Sequence, residues 1–123
     1  MSKLFTPISL RDVTLDNRIV VSPMCQYISD DGSVNDWHLM HLGQFSMGAG
    51  GLVITEATHV SPEGRITPKC LGLYSDENER TLKRVIDFLQ DAWRRENGHA
   101  AGACWPQGFN PAAIGWWRSA CSR

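Results

Sequence analysis

Residues 22–27 stand directly after the first apolar strand that the sequence predicts, and their side chains suit the binding of a flat ligand. Ligands of parallel α/β folds bind at the carboxyl ends of the strands, because the loops converge there. Pro23 shapes a turn without an amide donor, and Met24 is a polarizable side chain suited to an aromatic ligand. A thiol at Cys25 can donate weakly to an electron-rich ligand atom, and Tyr27 can place a phenol over a pocket. On spacing alone, a buried loop with a structural cysteine remains an open alternative.

The second predicted strand ends in Thr55-Glu56-Ala57, which belongs at the same edge of the sheet. The small side chain of Ala57 allows a ligand to approach the backbone closely. Glu56 is either a general base or the partner of a cation, for which Arg18 is the candidate.

Two histidines, His38 and His41, lie three residues apart on a predicted helix and share a face. A metal site needs further ligands, and His59 is the only nearby addition. The spacing therefore favours a polar helix surface, and we predict no metal site. The glycines of residues 48–51 precede a strand instead of following one, so they indicate the end of a helix and not a phosphate-binding turn.

The composition is typical of an ordinary globular protein, since the 123 residues are 42% hydrophobic and 20% charged with a net charge of -1. This charge gives no electrostatic reason to expect nucleic acid or an anionic membrane as a partner. The apolar runs are too short to span a bilayer, and residues 1–5 do not begin a signal peptide. We therefore expect a cytoplasmic location, with the four cysteines reduced.

The predicted elements alternate between strands and helices. They are a hairpin of Ile8–Leu10 with Val13–Leu15, a strand over 18–21, a helix capped by Asp36, a strand over 52–55 and a helix opened by a capping box of Asp76 and Glu79. The continuous apolar strands and the helical crossover indicate parallel pairing. This order begins either a doubly wound sheet or a (β/α)8 barrel, and the leading hairpin favours the barrel because it can plug the amino-terminal end.

The character of the sequence changes at Trp93. The last 31 residues hold four of the five tryptophans and two of the four cysteines, and they contain no Leu, Val, Lys, Met, Thr, Asp or Tyr. No apolar periodicity continues there. We therefore predict two parts, residues 1–91 as the start of an α/β fold and residues 92–123 as a tail that does not continue it.

Several motifs in the first part occur in a specific order. They are Leu4-Phe5-Thr6-Pro7, Leu15-Asp16-Asn17-Arg18-Ile19, Ser22-Pro23-Met24-Cys25-Gln26-Tyr27, Asn35-Asp36-Trp37-His38, Glu56-Ala57-Thr58 and Pro62-Glu63-Gly64-Arg65-Ile66. Together they resemble the opening of the old yellow enzyme family of flavoproteins, over about residues 4–89. The cysteine and tyrosine of the third motif resemble the bacterial thermophilic-like subclass, which includes xenobiotic reductases.

The resemblance implies the first part of a TIM barrel that carries FMN at its carboxyl-terminal face. Such enzymes take hydride from NADPH or NADH onto the flavin and deliver it to an activated alkene. By matching positions, the resemblance implies that the flavin is lined by Ser22, Pro23, Met24 and Cys25. It also implies that Cys25 contacts the carbonyl edge and modulates the potential, that Ala57 meets the flavin through its backbone and that Tyr27 faces the substrate.

The family's paired substrate-binding residues, its proton-donating tyrosine and its phosphate loops come from later strands. We therefore expect this chain to be an inactive fragment that does not retain FMN, and we assign it no catalytic residue. An alternative is a small binding domain that uses its Trp- and Arg-rich tail. Another TIM-barrel flavoprotein, such as a dihydroorotate dehydrogenase relative, is disfavoured by Pro23-Met24-Cys25. The activated alkene, the preferred nicotinamide and the oligomeric state are left open.

A shifted reading frame is our hypothesis for the tail. If the last two bases of each codon are read with the first base of the next, Trp105 followed by Pro106 must give glycine, since TGG and CCN yield GGC. Over residues 93–111 the shifted triplets permit the peptide GGEKMGTQLAHAGRKAST. This peptide resembles the family's third strand with its QLAHAGRK motif, at the place where that strand belongs. We therefore predict that family sequence ends between Leu89 and Trp93.

Overall fold

Strands and helices alternate along the chain after an opening hairpin. The computed structural model describes residues 2–11, 13–47, 51–97 and 102–104. The elements are β1 (Ile8–Leu10), β2 (Val13–Leu15), β3 (Val20–Val21), α1 (Asp36–Ser46), β4 (Leu52–Ile54), β5 (Thr58–His59), β6 (Leu71–Gly72), α2 (Asp76–Asn97) and β7 (Gly102–Cys104), with short 3-10 turns at Lys3–Phe5 and Pro62–Gly64. The predicted hairpin of β1 and β2 is confirmed, with Ile8 opposite Leu15.

The main sheet holds three parallel strands in the order β3-β4-β7. Helix α1 connects β3 to β4, and α2 connects β4 to β7, so that each parallel pair is joined by a helical crossover. Sequential parallel strands of this kind are the arrangement that begins a (β/α)8 barrel. The described residues form no closed barrel. They also include no helix that is long and apolar enough to cross a membrane.

A single asparagine aligns the starts of β3 and β4. The side-chain oxygen of Asn17 accepts hydrogen bonds from the backbone N–H groups of Ile19, at 2.9 Å, and Gly51, at 2.8 Å. The Gly51 N–H also lies 3.1 Å from the carbonyl oxygen of Ile19. A Cβ at Gly51 would lie 2.4 Å from the backbone oxygen of Asn17, so this close approach requires glycine.

The hydrophobic core lies where α1 and α2 pack against β4. Its buried members come from both helices, from strand β6 and from the loop before α1, and four partly buried residues extend it. The buried residues are Val34, Leu42, Leu71, Leu82, Val85 and Ile86, and the partly buried ones are Leu39, Val53, Leu73 and Leu89. Because this core joins the helices to the sheet, it determines where the strand ends and their loops lie.

In both helices the capping residue lies one position before the predicted one. Helix α1 is capped by Asn35, whose side chain accepts a backbone N–H of the first turn, and Asp36 is the first helical residue. The Ser75 hydroxyl accepts a first-turn N–H of α2 at 3.2 Å, and Asp76 is again inside the helix. The predictions of Asp36 and Asp76 as caps are therefore wrong. Each aspartate instead places its negative charge in the first turn, where the helix dipole favours it.

The loop between β3 and α1 is attached to α2 by the fully buried side chain of Asn78. Its amide nitrogen donates to the carbonyl oxygen of Asp31, at 3.0 Å, and to the hydroxyl of Ser33, at 2.9 Å. Nearby, the Ser29 hydroxyl donates to the carbonyl oxygen of Cys70 at 2.7 Å. These bonds satisfy polar groups that would otherwise be buried without partners.

Strand β7 lies inside the predicted tail. Gly102 is opposite Leu52 and Cys104 is opposite Ile54, so these three residues pair in parallel with the far side of β4. Helix α2 also runs past residue 91, and the assignment of residues 92–123 to a tail that is foreign to the fold stays a prediction. A strand ladder uses backbone groups alone, which is why it tolerates a sequence without apolar periodicity. The rest of the tail beyond Cys104 lies outside the described residues.

Candidate functional site

The carboxyl ends of β3 and β4 form one edge of the sheet. The strands are parallel and in register, with Val21 opposite Val53. Residues 22–25 and residues 55–57 therefore leave the sheet side by side, as the sequence predicts. Their geometry is that of a strand-end binding site in an α/β fold.

The predicted cofactor residues differ in how far they are open to solvent. Three are exposed, and two are partly buried at the strand ends. The exposed residues are Ser22, Pro23 and Met24, and the partly buried ones are Cys25 and Ala57. The Cys25 thiol is free and half-buried. The roles of these five residues stay predictions.

Glu56 follows β4 and is buried, with 5% of its surface exposed. Its Oε2 accepts the backbone N–H of Gln26 at 3.1 Å, and its Oε1 lies 3.4 Å from Nε2 of His38. The hypothesis that Arg18 is the cationic partner is wrong, because the ion-pair contact is with His38. The carboxylate thus touches both the loop after β3 and helix α1.

His38 lies in the interior, with 2% of its surface exposed, so the prediction of a polar helix surface is wrong for this residue. Its Nδ1 lies 3.1 Å from the backbone nitrogen of Asn35 and 2.9 Å from the side-chain oxygen of the same residue. Its Nε2 faces Glu56, but the pair is not aligned as a hydrogen bond. His41 instead makes an edge contact with Phe45. No group of three His, Cys, Asp or Glu side chains among the described residues is placed to hold a metal ion.

Two further bonds attach the loop after β3 to the start of α1. The indole nitrogen of Trp37 donates to the side-chain oxygen of Gln26 at 3.0 Å. The side-chain amide nitrogen of Asn35 donates to the carbonyl oxygen of Ile28 at 2.9 Å. The loop that carries Cys25 is therefore held against the helix on both sides of Tyr27.

Tyr27 has a left-handed backbone, with φ of 53°, and its side chain is 49% exposed. This region is unfavourable for a bulky residue, and such strain collects at functional sites. The pKa of the Tyr27 phenol is raised above its ordinary value, first because the negative charge of a Cys25 thiolate opposes ionisation, and then because of burial and a hydrogen bond with Cys25. Charges on Cys70 and Glu56 act in the same direction. The phenol and the thiol therefore lie side by side, with the phenol neutral near neutral pH.

Residues 3–94 match the model of the NADH:flavin oxidoreductase / NADH oxidase family. This match covers most of the chain. The chain belongs to this family. The recognition of an old yellow enzyme relative from the motifs of residues 4–89 is thereby confirmed.

Two curated relatives have the same sequence identity to this chain. An NADPH dehydrogenase from Bacillus cytotoxicus is 47% identical over 92 residues, which are 73% of this chain and 27% of the relative. An NADH:flavin oxidoreductase from Gibberella zeae is 47% identical over 87 residues, which are 71% of this chain and 21% of the relative. The chain thus spans about a quarter of the length of the curated relatives that it matches.

Solved structures of old yellow enzymes have the same fold over most of this chain. A morphinone reductase in complex with tetrahydroNAD superimposes with a TM-score of 0.66 at 26% identity, covering 85% of this chain and 26% of that chain. The Old Yellow Enzyme from Pichia sp. AKU4542 gives a TM-score of 0.68 at 27% identity, covering 74% and 24%. These likenesses confirm the predicted fold class, an incomplete (β/α)8 barrel with its opening hairpin.

In this flavoprotein-family chain, replacing Cys25 is expected to lower the pKa of Tyr27. The raised pKa means that folding favours the neutral phenol, so this contribution to stability is present below the ordinary tyrosine pKa and is lost as pH rises through the raised value. Cys25→Ala removes the largest cause of the shift. Since the chain holds two tyrosines, the titration is read by phenolate absorbance in a Tyr74→Phe background.

The control for this titration is the Tyr27→Phe variant, which reports Tyr74 alone. The pKa of Tyr74 is raised chiefly by burial, and Cys25 is not among its causes. Cys25→Ala should therefore leave that second titration in place. An unchanged Tyr27 titration after loss of the thiol would contradict the juxtaposition of the two side chains.

Proposed function

We propose that this chain carries the first part of the FMN site of an NAD(P)H-dependent ene-reductase. The observation that carries the proposal is the half-buried thiol of Cys25 at the carboxyl end of β3, beside the end of β4 where Ala57 lies. FMN bound there would supply the transfer of hydride from NADPH or NADH to the β-carbon of an activated alkene. The family membership and the old yellow enzyme fold support this assignment.

The donor set at the strand ends fits one edge of a flavin. Ser22, Pro23 and Met24 are open to contact, and Pro23 offers a surface without an amide hydrogen. The Cys25 thiol donates weakly toward the carbonyl edge and tunes the reduction potential in this proposal. Ala57 contributes its backbone, because its small side chain leaves the main chain accessible.

Tyr27 is proposed to face the substrate. Its phenol is half-exposed and remains protonated well above neutral pH, so that it is a hydrogen-bond donor under working conditions. The strained backbone of Tyr27 sets the direction of its side chain, and the bonds of Gln26 and Ile28 on either side hold that backbone in place. Tyr27 thus orients an acceptor group of the alkene in this proposal, and no proton transfer is assigned to it.

The chain by itself is proposed to be inactive. Residues 22–27 and residues 55–58 contain no lysine or arginine that could pair with the phosphate of FMN. Only two of the strand ends that would surround a flavin carry the predicted contacts. We therefore assign no catalytic residue to this chain, and the preferred nicotinamide, the alkene and a cytoplasmic location stay predictions.

Purified chain mixed with FMN is expected to lose the flavin on gel filtration. The reason is that the ring meets only one edge of its site, and the phosphate meets no cation from the two strand-end segments. Flavin absorbance in the protein peak is the measurement, and the NADPH dehydrogenase of Bacillus cytotoxicus treated in the same way is the positive control. Yellow, stoichiometric flavin in the peak of this chain would overturn the prediction that it does not retain FMN.

We also propose that residues 92–123 arise from a shifted reading frame. The composition break at Trp93 and the shifted peptide with its QLAHAGRK motif support the proposal. The position of Gly102–Cys104 beside β4 supports it as well, because the shifted triplets would place the third barrel strand at the same point of the chain. The alternative of a binding domain depends on the tryptophans and arginines of residues 92–123. Those that follow Cys104 lie outside the described residues.

A further inference from the structure

Glu56 connects three elements of the fold at one buried point. It follows β4, accepts a backbone N–H from the loop after β3 and lies against a side chain of α1. We propose that Glu56 is a positioning residue, which fixes the loop of Cys25 and Tyr27 at the strand-end site. The role of that loop in binding a ligand rests on the proposed function. The attachment of the loop to Glu56 does not, because it depends only on contacts within this chain.

The anchoring follows from how the two carboxylate oxygens are occupied. Oε2 accepts the backbone N–H of Gln26 at 3.1 Å, in the residue between Cys25 and Tyr27. A hydrogen bond to a carboxylate is stronger than one between neutral groups, and leaving a partly buried donor unpaired is costly. The bond therefore holds the backbone of this segment at a fixed distance from the end of β4.

The other oxygen lies beside a histidine whose ring is itself oriented. The Nδ1 atom of His38 lies 3.1 Å from the backbone nitrogen of Asn35, the residue that caps α1. This contact directs Nε2 toward Oε1 of Glu56 at 3.4 Å. The start of the helix, the end of the strand and the loop are thus joined in one chain of contacts through Asn35, His38, Glu56 and Gln26.

The charge of Glu56 also reaches the site without touching it. Ionised Glu56 is among the causes that raise the pKa of Tyr27, after the larger effects of Cys25, burial and Cys70. Glu56 is itself buried, accepts from the backbone of Gln26 and lies against His38. Its role in this proposal is therefore to position Cys25 and Tyr27.

Two substitutions separate the anchoring from the charge. Glu56→Gln keeps the shape but replaces the carboxylate by a neutral amide, which weakens the bond from the Gln26 N–H. Glu56→Asp keeps the charge but is one methylene shorter and cannot span both partners. Glu63→Gln is the matched control, because Glu63 is an exposed carboxylate in a loop.

The variants are compared in the full chain without added flavin. We expect both Glu56 variants to accelerate hydrogen exchange of the Gln26 amide about tenfold or more, and to accelerate alkylation of Cys25 by iodoacetamide. Glu56→Gln should also lower the pKa of Tyr27, read by phenolate absorbance in the Tyr74→Phe background. Glu63→Gln should leave all three measurements unchanged.

Exchange and alkylation rates equal to those of the control, in variants with unchanged helical circular dichroism, overturn the proposal. Acceleration in Glu56→Gln alone, with Glu56→Asp at the wild-type rate, also overturns it, because charge would then act without anchoring. If the variants do not fold, the wild-type chain decides: a Gln26 amide protected at least about tenfold over a free peptide supports the anchor, and an unprotected one refutes it. Since no flavin is used, a failed FMN assignment leaves these outcomes unaffected.

Discussion

Deleting one base between the codons of Leu89 and Trp93 is expected to give a longer, yellow flavoprotein in place of a chain that we expect to be colourless. The shifted triplets permit the motif QLAHAGRK in place of the tail over residues 93–111, and that motif resembles the third strand of the family. The matched relatives are about four times the length of the aligned region, so the later strands that complete the FMN site are expected downstream. The measurements are flavin absorbance of the purified protein and oxidation of NADPH or NADH with cyclohex-2-enone, a simple activated alkene.

The matched control is a three-base deletion at the same place, which shortens the chain by one residue and keeps the present tail. That protein should remain colourless. Stop codons in the shifted frame across residues 93–111 would sink the hypothesis. So would coding DNA that does not specify the third-strand motif there. A frame-corrected protein that holds FMN but reduces no activated alkene would retain the frame hypothesis and refute the ene-reductase assignment.

Leu82→Ala is expected to lower the free energy of unfolding by about 2–5 kcal/mol. Leu82 is 3% exposed on the face of α2 that packs into the core, beside Val85 and Ile86. Truncation removes transfer free energy and leaves a cavity where the helix meets the sheet. Because small domains are stable by only about 5–15 kcal/mol, the loss is a large fraction of the total. Urea unfolding followed by circular dichroism gives the change.

Phe88→Ala is the matched control for this measurement, because it also removes a large apolar side chain from α2. The Phe88 side chain is 53% exposed, so its truncation should change the unfolding free energy by only about 0.5 kcal/mol. Equal losses in the two variants would contradict the described orientation of α2. The comparison therefore tests which face of the helix forms the core.

The local elements could be predicted because their causes are local. The hairpin of Ile8–Leu10 and Val13–Leu15 follows from alternation about a turn, and the structure has the predicted bounds. The helix caps were misplaced by one residue, since Asn35 and Asp36 are both suitable cap types. Only the backbone geometry at the start of α1 decides which of the two side chains can reach a first-turn N–H.

The buried contact of His38 with Glu56 was not predicted. No sequence pattern indicates that a histidine on a helix contacts a carboxylate at a strand end. Arg18 was an equally reasonable partner for Glu56. One signal was available, because Asn35 and His38 have the spacing of a capping box. Histidine is not one of the usual residues at the second position of that motif.

The sequence by itself determined the family, the order of strands and helices, and the two strand-end segments where ligand contacts belong. These depend on motifs, on periodicity and on the rule that parallel strands present their carboxyl ends together. The tertiary structure alone decided that Glu56 lies between the Cys25 loop and α1, that His38 is buried and that Gly102–Cys104 pairs with β4. The physical reason is that burial and long-range pairing depend on which surfaces meet after the chain has folded, and residue types near one another in the sequence do not specify this.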